Sequence, residues 1–520
     1  MRAFSSLFAA FLAITSLFAP LAADPGDVTA AARGVVRVVL IGQEGDQLVP
    51  VTHGSGFAVT PTRIITNAHV LREALADPAL RIGVVPSQGE KSAYARVVAV
   101  SPRNDLALIE ITGGTLRLPP LALAGGQDQS AMSEVVAVGY PMNVDLAQGL
   151  SISDIFRAQP PVKSRGFLSG ERPSRQFDTI LHTAPIARGN SGGPLLDGCG
   201  RVIGVNSFSA DGGSGGGAEF FFAVSLRELI PFLRAQGVEA QVNALPCRSI
   251  EELNAEERSR LEAEQQVARE SLARREADLR AAREEALLTA QMEVIARREA
   301  HVAAALLLLL ASLGGGYAAR ALHRAQAPRG QIIGVSIGAA SALFLAGALW
   351  ITRPGVDAIE EQVAEALAAG KAGNPTSPAR PAASASEGIL TCTLVPDRSR
   401  VTSSRTDDVE VKWSADGCVN QRTQYGRTNQ GEWSRVFVPD NEDAVSVNTY
   451  DPASRTFRTE RYLLDAAAMS AAREARRQYA PPACGVSDAA RLLGEQQSTL
   501  LGQLPERPNE RLVYTCTPVP

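Results

Sequence analysis

The sequence predicts a multi-domain protein: an all-β domain first, then a long helix, two membrane-length helices and a small β-rich domain that carries cysteines. Short apolar, β-branched runs in residues 30–225 alternate with Gly, Pro, Asn and Asp, which is typical of many short strands. Residues 250–300 contain neither Gly nor Pro and are rich in Glu, Arg, Ala and Leu, which favours a single helix. Two apolar stretches, each close to the roughly 20 residues that span a bilayer, come next.

The composition sets the broad class. The chain has 520 residues, of which 45% are apolar and 20% charged, enough to build more than one hydrophobic core. A net charge of −4 gives no reason to expect a nucleic-acid partner. Six cysteines, an even number, fit disulfide bonds in an oxidising compartment. No residue pattern requires a cofactor or a metal, so we expect neither.

The first 23 residues have the pattern of a secretory signal peptide. Arg2 precedes an apolar run, residues 7–18, and small residues stand before the expected cut after Ala23. The alternative is an uncleaved membrane anchor. In both cases we expect the following domain to be exported.

The stretch Gly189-Asn190-Ser191-Gly192-Gly193-Pro194 contains the strongest chemical signal. A serine between glycines can expose its hydroxyl and let a substrate backbone approach, because glycine has no Cβ and tolerates strained backbone angles. Ser191 is therefore a candidate nucleophile. A serine hydroxyl is weak by itself and needs a base together with a group that orients the base.

Two upstream motifs supply these partners. Thr66-Asn67-Ala68-His69-Val70 follows a β-like run, and Asn104-Asp105 opens another at residues 104–109. The order is His69, Asp105, Ser191. The glycines also fit the nucleophile elbow of α/β-hydrolases, but in that fold the histidine follows the serine. Only His301 and His323 follow Ser191, at the ends of a membrane-like segment, so the esterase interpretation is excluded.

These three motifs, in this order, resemble those of the chymotrypsin-like serine proteases, specifically the HtrA/Deg-type branch. Further matching stretches are Gly54-Ser55-Gly56-Phe57, Gly139-Tyr140-Pro141, 200–206 and 222–224. The resemblance covers residues 30 to 240 and implies a double β-barrel with the triad in the cleft between the barrels. No PDZ-like segment follows, in contrast to the family.

The resemblance also implies roles at the site. The N–H groups of Gly189 and Ser191 would form the oxyanion hole, and Ser207 would pair its main chain with the substrate. The expected substrate-binding residues are Pro185, Ser207, Phe208 and Ala223. Pro185 stands six residues before the nucleophile, where a preference for Lys or Arg would need an acid. We therefore expect small or medium apolar residues before the cut bond. His53 and His182 are expected to be ordinary strand or loop residues.

Capping boxes predict where two helices begin. Ser225 to Glu228 would start a helix that closes the all-β domain near Gln236, and Ser249 to Glu252 would start the long helix. Leucines along the long helix hold no clean heptad, so the sequence leaves open both a coiled-coil homo-oligomer and a solvated stalk. Residues 143–165 predict a long loop, either regulatory or a plain surface loop.

Charge predicts the topology of the two apolar segments. Arg320, Arg324 and Arg329 lie between them without an acid, so the positive-inside rule puts this short loop in the cytoplasm and both flanking domains outside. A buried hairpin of a soluble domain is the alternative.

The last domain carries four cysteines. Cys392 and Cys418 bracket Trp413, which resembles an immunoglobulin-like sandwich. We expect disulfides between neighbours within each domain. The expected pairs are Cys392 with Cys418, Cys484 with Cys516, and Cys199 with Cys247.

The sequence therefore predicts a membrane-anchored, extracytoplasmic serine endopeptidase of unfolded or exported polypeptides, in the cytoplasmic membrane of a bacterium. The rival hypothesis is a membrane-tethered sensor or scaffold whose protease-like domain binds peptides without cutting them. The predicted boundaries are 1–23 for the signal peptide, 24–246 for the protease domain, 247–301 for the stalk, 302–319 and 332–351 for the spans, 320–331 for the loop between them, 352–387 for a linker and 388–520 for the C-terminal domain.

Overall fold

The computed structural model describes residues 25–89, 91–125, 133–173, 177–209, 220–355, 357–372, 388–402, 406–428 and 431–519. The predicted signal peptide and residues 373–387 of the predicted linker lie outside these residues. Residues 357–372, also predicted as linker, instead form a helix. The described chain forms two compact units. One combines residues up to 257 with residues from 383 onward, and the other comprises residues 258–382.

The first unit begins with a short helix and a closed barrel of six described strands. Helix α1 is Pro25–Ala32. The strands run in the order β1-β2-β3-β6-β5-β4. Their bounds are β1 Val35–Glu44, β2 Gln47–Ala58, β3 Arg63–Thr66, β4 Arg81–Pro86, β5 Ala93–Ser101 and β6 Leu106–Thr112. Helix α2, Arg72–Ala76, connects β3 to β4. Strands β1 and β2 turn at Gly45, whose φ of +62° suits a two-residue hairpin turn.

The second sheet also closes, because β11 pairs with both β8 and β12. The order β11-β8-β9-β10-β13-β12 therefore forms a second barrel, to which β7 and β14 add an edge. The strands are β7 Leu123–Ala124, β8 Glu134–Gly139, β9 Val162–Pro173, β10 Asp178–His182, β11 Pro194–Leu196, β12 Val202–Ser209, β13 Phe221–Ser225 and β14 Val242–Asn243. Buried apolar side chains from both barrels, such as Phe57, Leu106 and Val205, share one core. The predicted double β-barrel is confirmed.

The helices of this region follow local sequence signals. Helix α5 is Leu226–Ala235, and the Ser225 side chain accepts the N–H of Arg227 at its start. Glu228 does not complete the capping box, because its carboxylate accepts hydrogen bonds from Asp178 N and Asn104 Nδ2 instead. Between β8 and β9, the predicted long loop contains two short helices, α3 Met142–Ala147 and α4 Ile152–Ile155.

The C-terminal part of the first unit is one antiparallel sheet of nine described strands with two helices. The order is β18-β17-β16-β15-β23-β22-β21-β20-β19. The strands are β15 Gly388–Leu394, β16 Val409–Trp413, β17 Cys418–Val419, β18 Thr423–Gln424, β19 Gly426–Arg427, β20 Trp433–Phe437, β21 Ala444–Asp451, β22 Thr456–Leu463 and β23 Glu510–Pro518. The helices are α9 Ala466–Arg477 and α10 Ala489–Leu501. Only Tyr425 separates the first strand of this order from the last, so the sheet curls on itself.

The immunoglobulin-like prediction was wrong. The ring of Trp413 packs inside the curled sheet, 4.4 Å from Tyr450 and 5.2 Å from Tyr425 between ring centres. The disulfide beside it joins Cys392 of β15 to Cys516 of β23, which are paired neighbours in one sheet. An immunoglobulin-like domain instead has a disulfide between two facing sheets.

One of the three predicted disulfides is present and two are not. Cys199 and Cys247 are bonded, as predicted. The predicted pairs Cys392–Cys418 and Cys484–Cys516 were wrong, because Cys418 is bonded to Cys484 and Cys392 to Cys516. The first strand of the domain pairs with its last strand, so the cysteines closest in sequence lie on different parts of the sheet.

The C-terminal sheet docks on the protease barrels through buried polar groups. The Arg400 guanidinium, 1% exposed, forms an ion pair with Asp27 of α1. Its Nε donates to the carbonyl of Arg248 at 2.7 Å, and Asn509 Nδ2 donates to Asp27 Oδ1 at 2.9 Å. Leu245 packs against the core of the C-terminal sheet. The two domains therefore form one compact unit.

The second unit is helical. The long helix, α6, runs without interruption from Ile250 to Arg324, so the predicted stalk and first apolar segment are one helix. Ser249 and Glu252 cap its start reciprocally, as predicted. Helix α7, Arg329–Ile351, approaches α6 closely at Gly315 and Ala339, and α8 is Asp357–Ala372. Both α6 and α7 contain a window apolar enough to cross a membrane, and only 6% of each window is buried.

Candidate active site

The histidine and the aspartate meet at the ends of two paired strands of the first barrel. Strands β3 and β6 run antiparallel, with Thr66 opposite Ala107, so His69 follows β3 where Asp105 precedes β6. Asp105 has a left-handed φ of +52°. The Asn67 side chain donates to its carbonyl oxygen at 2.8 Å and holds this conformation. A left-handed backbone conformation costs a non-glycine residue free energy and persists only where its surroundings hold it.

The carboxylate of Asp105 fixes the ring of His69. Its Oδ2 lies 2.9 Å from His69 Nδ1, and its Oδ1 accepts the backbone N–H of His69 at 3.0 Å. Ser207 Oγ donates to Oδ2 at 2.6 Å. Burial alone would raise the pKa of Asp105, but the hydrogen bonds and charge of His69 and the hydroxyl of Ser207 outweigh it and lower that pKa. An ionised carboxylate makes Nδ1 the donor, so Nε2 is left as a base.

Ser191 lies in the tight loop between β10 and β11. Gly189 and Gly192 have φ values of +100° and +87°. A Cβ on Gly189 would lie 2.2 Å from the carbonyl oxygen of Tyr140, so the loop requires glycine there. Ser191 Oγ donates to the carbonyl of Ser207 at 2.9 Å. In the described chain it makes no hydrogen bond to His69. Ser207 therefore links the predicted nucleophile to the predicted acid.

The backbone N–H groups of residues 189–193 divide into two sets. Three have protein acceptors: Asn190 donates to Ala187 at 3.0 Å, Gly192 to Asn206 at 2.8 Å and Gly193 to Asn190 at 3.0 Å. Within the residues that the structure describes, the N–H groups of Gly189 and Ser191 have none. These two are the donors predicted for the oxyanion hole, and both remain able to bind an external oxygen.

The predicted substrate-binding residues differ in exposure. Pro185 is exposed, whereas Ala223 is fully buried on β13 opposite Asn206. Phe208 is 45% exposed, and its ring stacks on Phe222 with centres 4.8 Å apart. The exposed ring of Phe208 follows Ser207 directly and can contact apolar side chains.

A buried polar cluster was missed by sequence reasoning. Arg37 Nη2 lies 2.9 Å from Asp145 Oδ1, and His53 Nε2 lies 3.2 Å from Asp145 Oδ2. Arg37 also donates to the carbonyl of Ile155 at 3.2 Å. Burial and the charge of Arg37 lower the pKa of His53, against the opposing effects of Asp145 and the Tyr140 carbonyl. The cluster anchors α3 and α4 to the first barrel. Its only signal in the sequence is Arg37, a charged residue within the apolar run 35–41.

Comparison with known proteins agrees with this geometry. Residues 54–205 match the trypsin-like peptidase domain. The chain is 38% identical to serine protease HTRA4 of Homo sapiens over 186 residues, which are 35% of this chain and 36% of that protein. It is 35% identical to a probable periplasmic serine endoprotease DegP-like protein of Pseudomonas fluorescens over 157 residues, 30% of this chain and 29% of that protein.

A third similar protein is the mitochondrial serine protease HTRA2 of Bos taurus, 34% identical over 194 residues, which are 37% of this chain and 39% of that protein. The chain thus spans about a third of the length of these curated relatives. The matched peptidase domain, residues 54–205, lies within the two-barrel region.

Proposed function

Because residues 54–205 form a trypsin-like peptidase domain of the HtrA type, we propose that the protein is a membrane-anchored, extracytoplasmic serine endopeptidase. His69, Asp105 and Ser191 are its catalytic triad. The observation that carries the proposal is the 2.9 Å contact between His69 Nδ1 and Asp105 Oδ2, with Ser207 hydrogen-bonded to both Asp105 and Ser191. A base oriented in this way is what a serine nucleophile needs.

Substrate binding starts the reaction by freeing the nucleophile. An extended peptide donates its N–H to the carbonyl of Ser207, which now accepts Ser191 Oγ at 2.9 Å. The serine hydroxyl is displaced and rotates toward His69 Nε2. This accounts for a resting state without a Ser191–His69 hydrogen bond, since catalytic hydrogen bonds often form only in the complex.

The reaction proceeds in two stages, acylation of Ser191 and hydrolysis of the acyl-enzyme, and His69 transfers the proton in both. His69 takes the proton as Ser191 Oγ attacks the carbonyl carbon, and the oxyanion accepts hydrogen bonds from the N–H groups of Gly189 and Ser191. His69 next donates its proton to the leaving amine, which leaves an acyl-enzyme. Water, deprotonated by His69, attacks that ester and releases the second product. Asp105 stays ionised and stabilises the imidazolium.

The substrate is an extended polypeptide, because a segment must leave its own secondary structure to pair with Ser207. We propose unfolded or exported proteins as the substrate class, with small or medium apolar residues before the cut bond. Pro185 supplies no charge at the predicted pocket, and the stacked Phe208 and Phe222 offer an apolar surface. A neutral apolar pocket discriminates against charged side chains through their desolvation.

Membrane anchoring is supported by the apolar segments of α6 and α7, which lack burial inside the helical unit. We propose that they form a hairpin in the cytoplasmic membrane. Arg320, Arg324 and Arg329 lie between the segments on the cytoplasmic side, so the protease barrels and the C-terminal sheet both face outward. The predicted domain boundaries and the signal peptide belong to the same proposal.

A fluorophosphonate probe tests the enzyme proposal directly. The full chain is required, because Leu245 packs against the C-terminal sheet and Cys247 is bonded to Cys199 of the barrel region. We expect the probe to label Ser191 and to inhibit cleavage of an unfolded protein. Ser191→Ala, His69→Ala and the double variant should be equally inactive, since the triad acts as one unit. Peptide binding by a folded wild-type chain without labelling or cleavage would instead indicate the non-cleaving scaffold.

A further inference from the structure

We propose that the buried hydroxyl of Ser55, together with the backbone N–H of Met142, is a positioning pair that keeps the predicted oxyanion hole open. The inference rests on the proposed function and deepens it. Ser55 lies in strand β2 of the first barrel, whereas the hole belongs to the loop before β11 of the second.

Ser55 is fully buried, and each of its polar groups is engaged. Its Oγ donates to the carbonyl of Gly189 at 2.6 Å and accepts the N–H of Tyr140 at 2.9 Å. Its backbone N–H donates to the carbonyl of Ser191 at 2.8 Å. Its carbonyl accepts Thr66 Oγ1 at 2.7 Å. One side chain therefore ties the nucleophile loop to β2 and to the end of β8.

The preceding carbonyl has an anchor of its own. The N–H of Met142, the first residue of α3, donates to the carbonyl of Arg188 at 2.7 Å. Two consecutive carbonyls, those of Arg188 and Gly189, are thus held by donors outside the loop. Both donors are close to Tyr140, whose segment is fixed by the Arg37–Asp145–His53 cluster.

Because a peptide group is planar, an anchor on its carbonyl also fixes the direction of its N–H. The C=O and N–H of one trans peptide point in opposite directions. With the Arg188 carbonyl held by Met142, the N–H of Gly189 must point the other way, where no described residue accepts it. Glycine at position 189 can rotate its flanking peptides at little cost. Met142 holds this peptide directly, and without that donor the peptide is free to turn and to withdraw the Gly189 N–H. Ser55 acts indirectly: its hydroxyl holds the following peptide through the Gly189 carbonyl, and it accepts the N–H of Tyr140 in the segment that presents Met142.

The contribution of Ser55 is therefore specific to the transition state. A misdirected Gly189 N–H leaves substrate binding at Ser207 intact but loses stabilisation of the oxyanion. Loss of a whole oxyanion donor lowers kcat about 100-fold to 1000-fold. For loss of one anchor we expect a decrease in kcat of about tenfold or more, with KM changed less than about twofold.

The experiment uses the full chain and two variants. Ser55→Ala removes the hydroxyl. Met142→Pro replaces the backbone N–H by a ring carbon and removes the Met side chain, at the first position of a helix, where proline is tolerated. For each, kcat, KM, the thermal midpoint and inhibition by a peptide aldehyde are measured. The aldehyde adduct carries an oxyanion, so its inhibition constant should rise by the same factor as kcat/KM falls.

Ser87→Ala is the matched control. Its hydroxyl is also buried and donates to a backbone carbonyl, that of Arg33, at 3.0 Å. This variant should lose some thermal stability, for one hydrogen bond rather than two, and keep the wild-type kcat.

The outcomes separate this inference from the function on which it rests. A decrease in kcat and aldehyde affinity in folded Ser55→Ala and Met142→Pro supports the positioning pair. Wild-type kcat in either folded variant overturns it, and if Ser55→Ala does not fold, Met142→Pro decides. An inactive wild-type chain that the fluorophosphonate does not label would refute the proposed function itself.

Discussion

Ser207 donates a 2.6 Å hydrogen bond through its hydroxyl to the carboxylate of Asp105. Its carbonyl meanwhile accepts the hydroxyl of Ser191. A single residue of β12 in the second barrel thus contacts both the proposed acid, which the first barrel supplies, and the proposed nucleophile. The geometry of the proposed triad therefore depends on how the two barrels are aligned.

Ser207→Ala should lower kcat about tenfold, because a hydrogen bond to a charged group contributes about 1.5–3 kcal/mol. The carbonyl that pairs with the substrate is retained, so KM should change little. Steady-state cleavage of a fluorogenic peptide measures both constants, with Ser87→Ala as the control. An unchanged kcat would show that Asp105 is held well enough by His69 and the backbone alone.

Cleavage-site mapping by mass spectrometry tests the specificity. We expect Val, Ala, Leu or similar residues before the cut bond in an unfolded protein substrate. Replacing Phe208 by Ser should weaken this preference, because the aromatic pair with Phe222 loses its exposed member. A majority of Lys or Arg before the cut would refute the apolar pocket at Pro185.

His182 should make the folded state sensitive to acid. Burial lowers the pKa of this fully buried ring from 6.5 to about 4, against a weaker opposing effect of the Ala184 backbone. The unfolded chain binds a proton near pH 6.5 and the folded chain only near pH 4. Stability is therefore complete above pH 6.5 and falls as the pH decreases toward 4, by a free energy of unfolding on the order of 3 kcal/mol.

Urea denaturation between pH 4 and 7.5 checks this dependence. His182→Phe should flatten it, because the apolar ring cannot take up a proton in the unfolded state. An equally steep decrease in that variant would assign the acid sensitivity to other groups, such as His53.

Arg400→Ala should destabilise the first unit by about 3–5 kcal/mol, because it leaves the Asp27 carboxylate buried without its cation. Arg507→Ala is the control. Arg507 also pairs across the same interface, with Glu251, but these side chains are 66% and 47% exposed. Exposed pairs contribute about 0–1 kcal/mol. Thermal denaturation should separate the two variants, and equal midpoints would contradict a structural role for the buried pair.

Single cysteines test the membrane topology in intact cells. Positions Ser271, Gln326 and Ala364 lie on α6, in the turn before α7 and on α8, and all three are exposed. A thiol reagent that cannot cross the inner membrane should label the first and third but not the second. Labelling at Gln326 with protection at Ala364 would reverse the orientation, and release of the protein by carbonate would exclude the membrane hairpin.

The sequence predicted correctly the features that depend on interactions between residues close together in the chain. The double barrel, the helix start at Ser225, the capping box at Ser249 and the Cys199–Cys247 disulfide were predicted correctly. The triad residues could be selected because each stands in a short motif of its own. Their mutual roles remain predictions.

The errors concern contacts between distant parts of the chain. The pairing of β15 with β23 brings together Cys392 and Cys516, which are 124 residues apart, and no local pattern indicates it. The hydroxyl of Ser55 stands in a recognisable motif, yet its link to Gly189 depends on how the two barrels meet. From the sequence alone, an arginine that will be buried, such as Arg400, cannot be distinguished from a surface arginine, because its partner Asp27 is distant in the chain.

The ion pair of Asp27 and Arg400 constrains when, during synthesis, the C-terminal sheet can dock on the barrels. These residues are 373 positions apart, with the whole helical unit synthesised between them. Translation proceeds at about 5–20 residues per second, so Arg400 is synthesised about 20 to 75 s after Asp27. During that interval the docking face of α1 is open to chaperones and proteases. Docking of the C-terminal sheet on the barrels therefore cannot be completed before the end of synthesis.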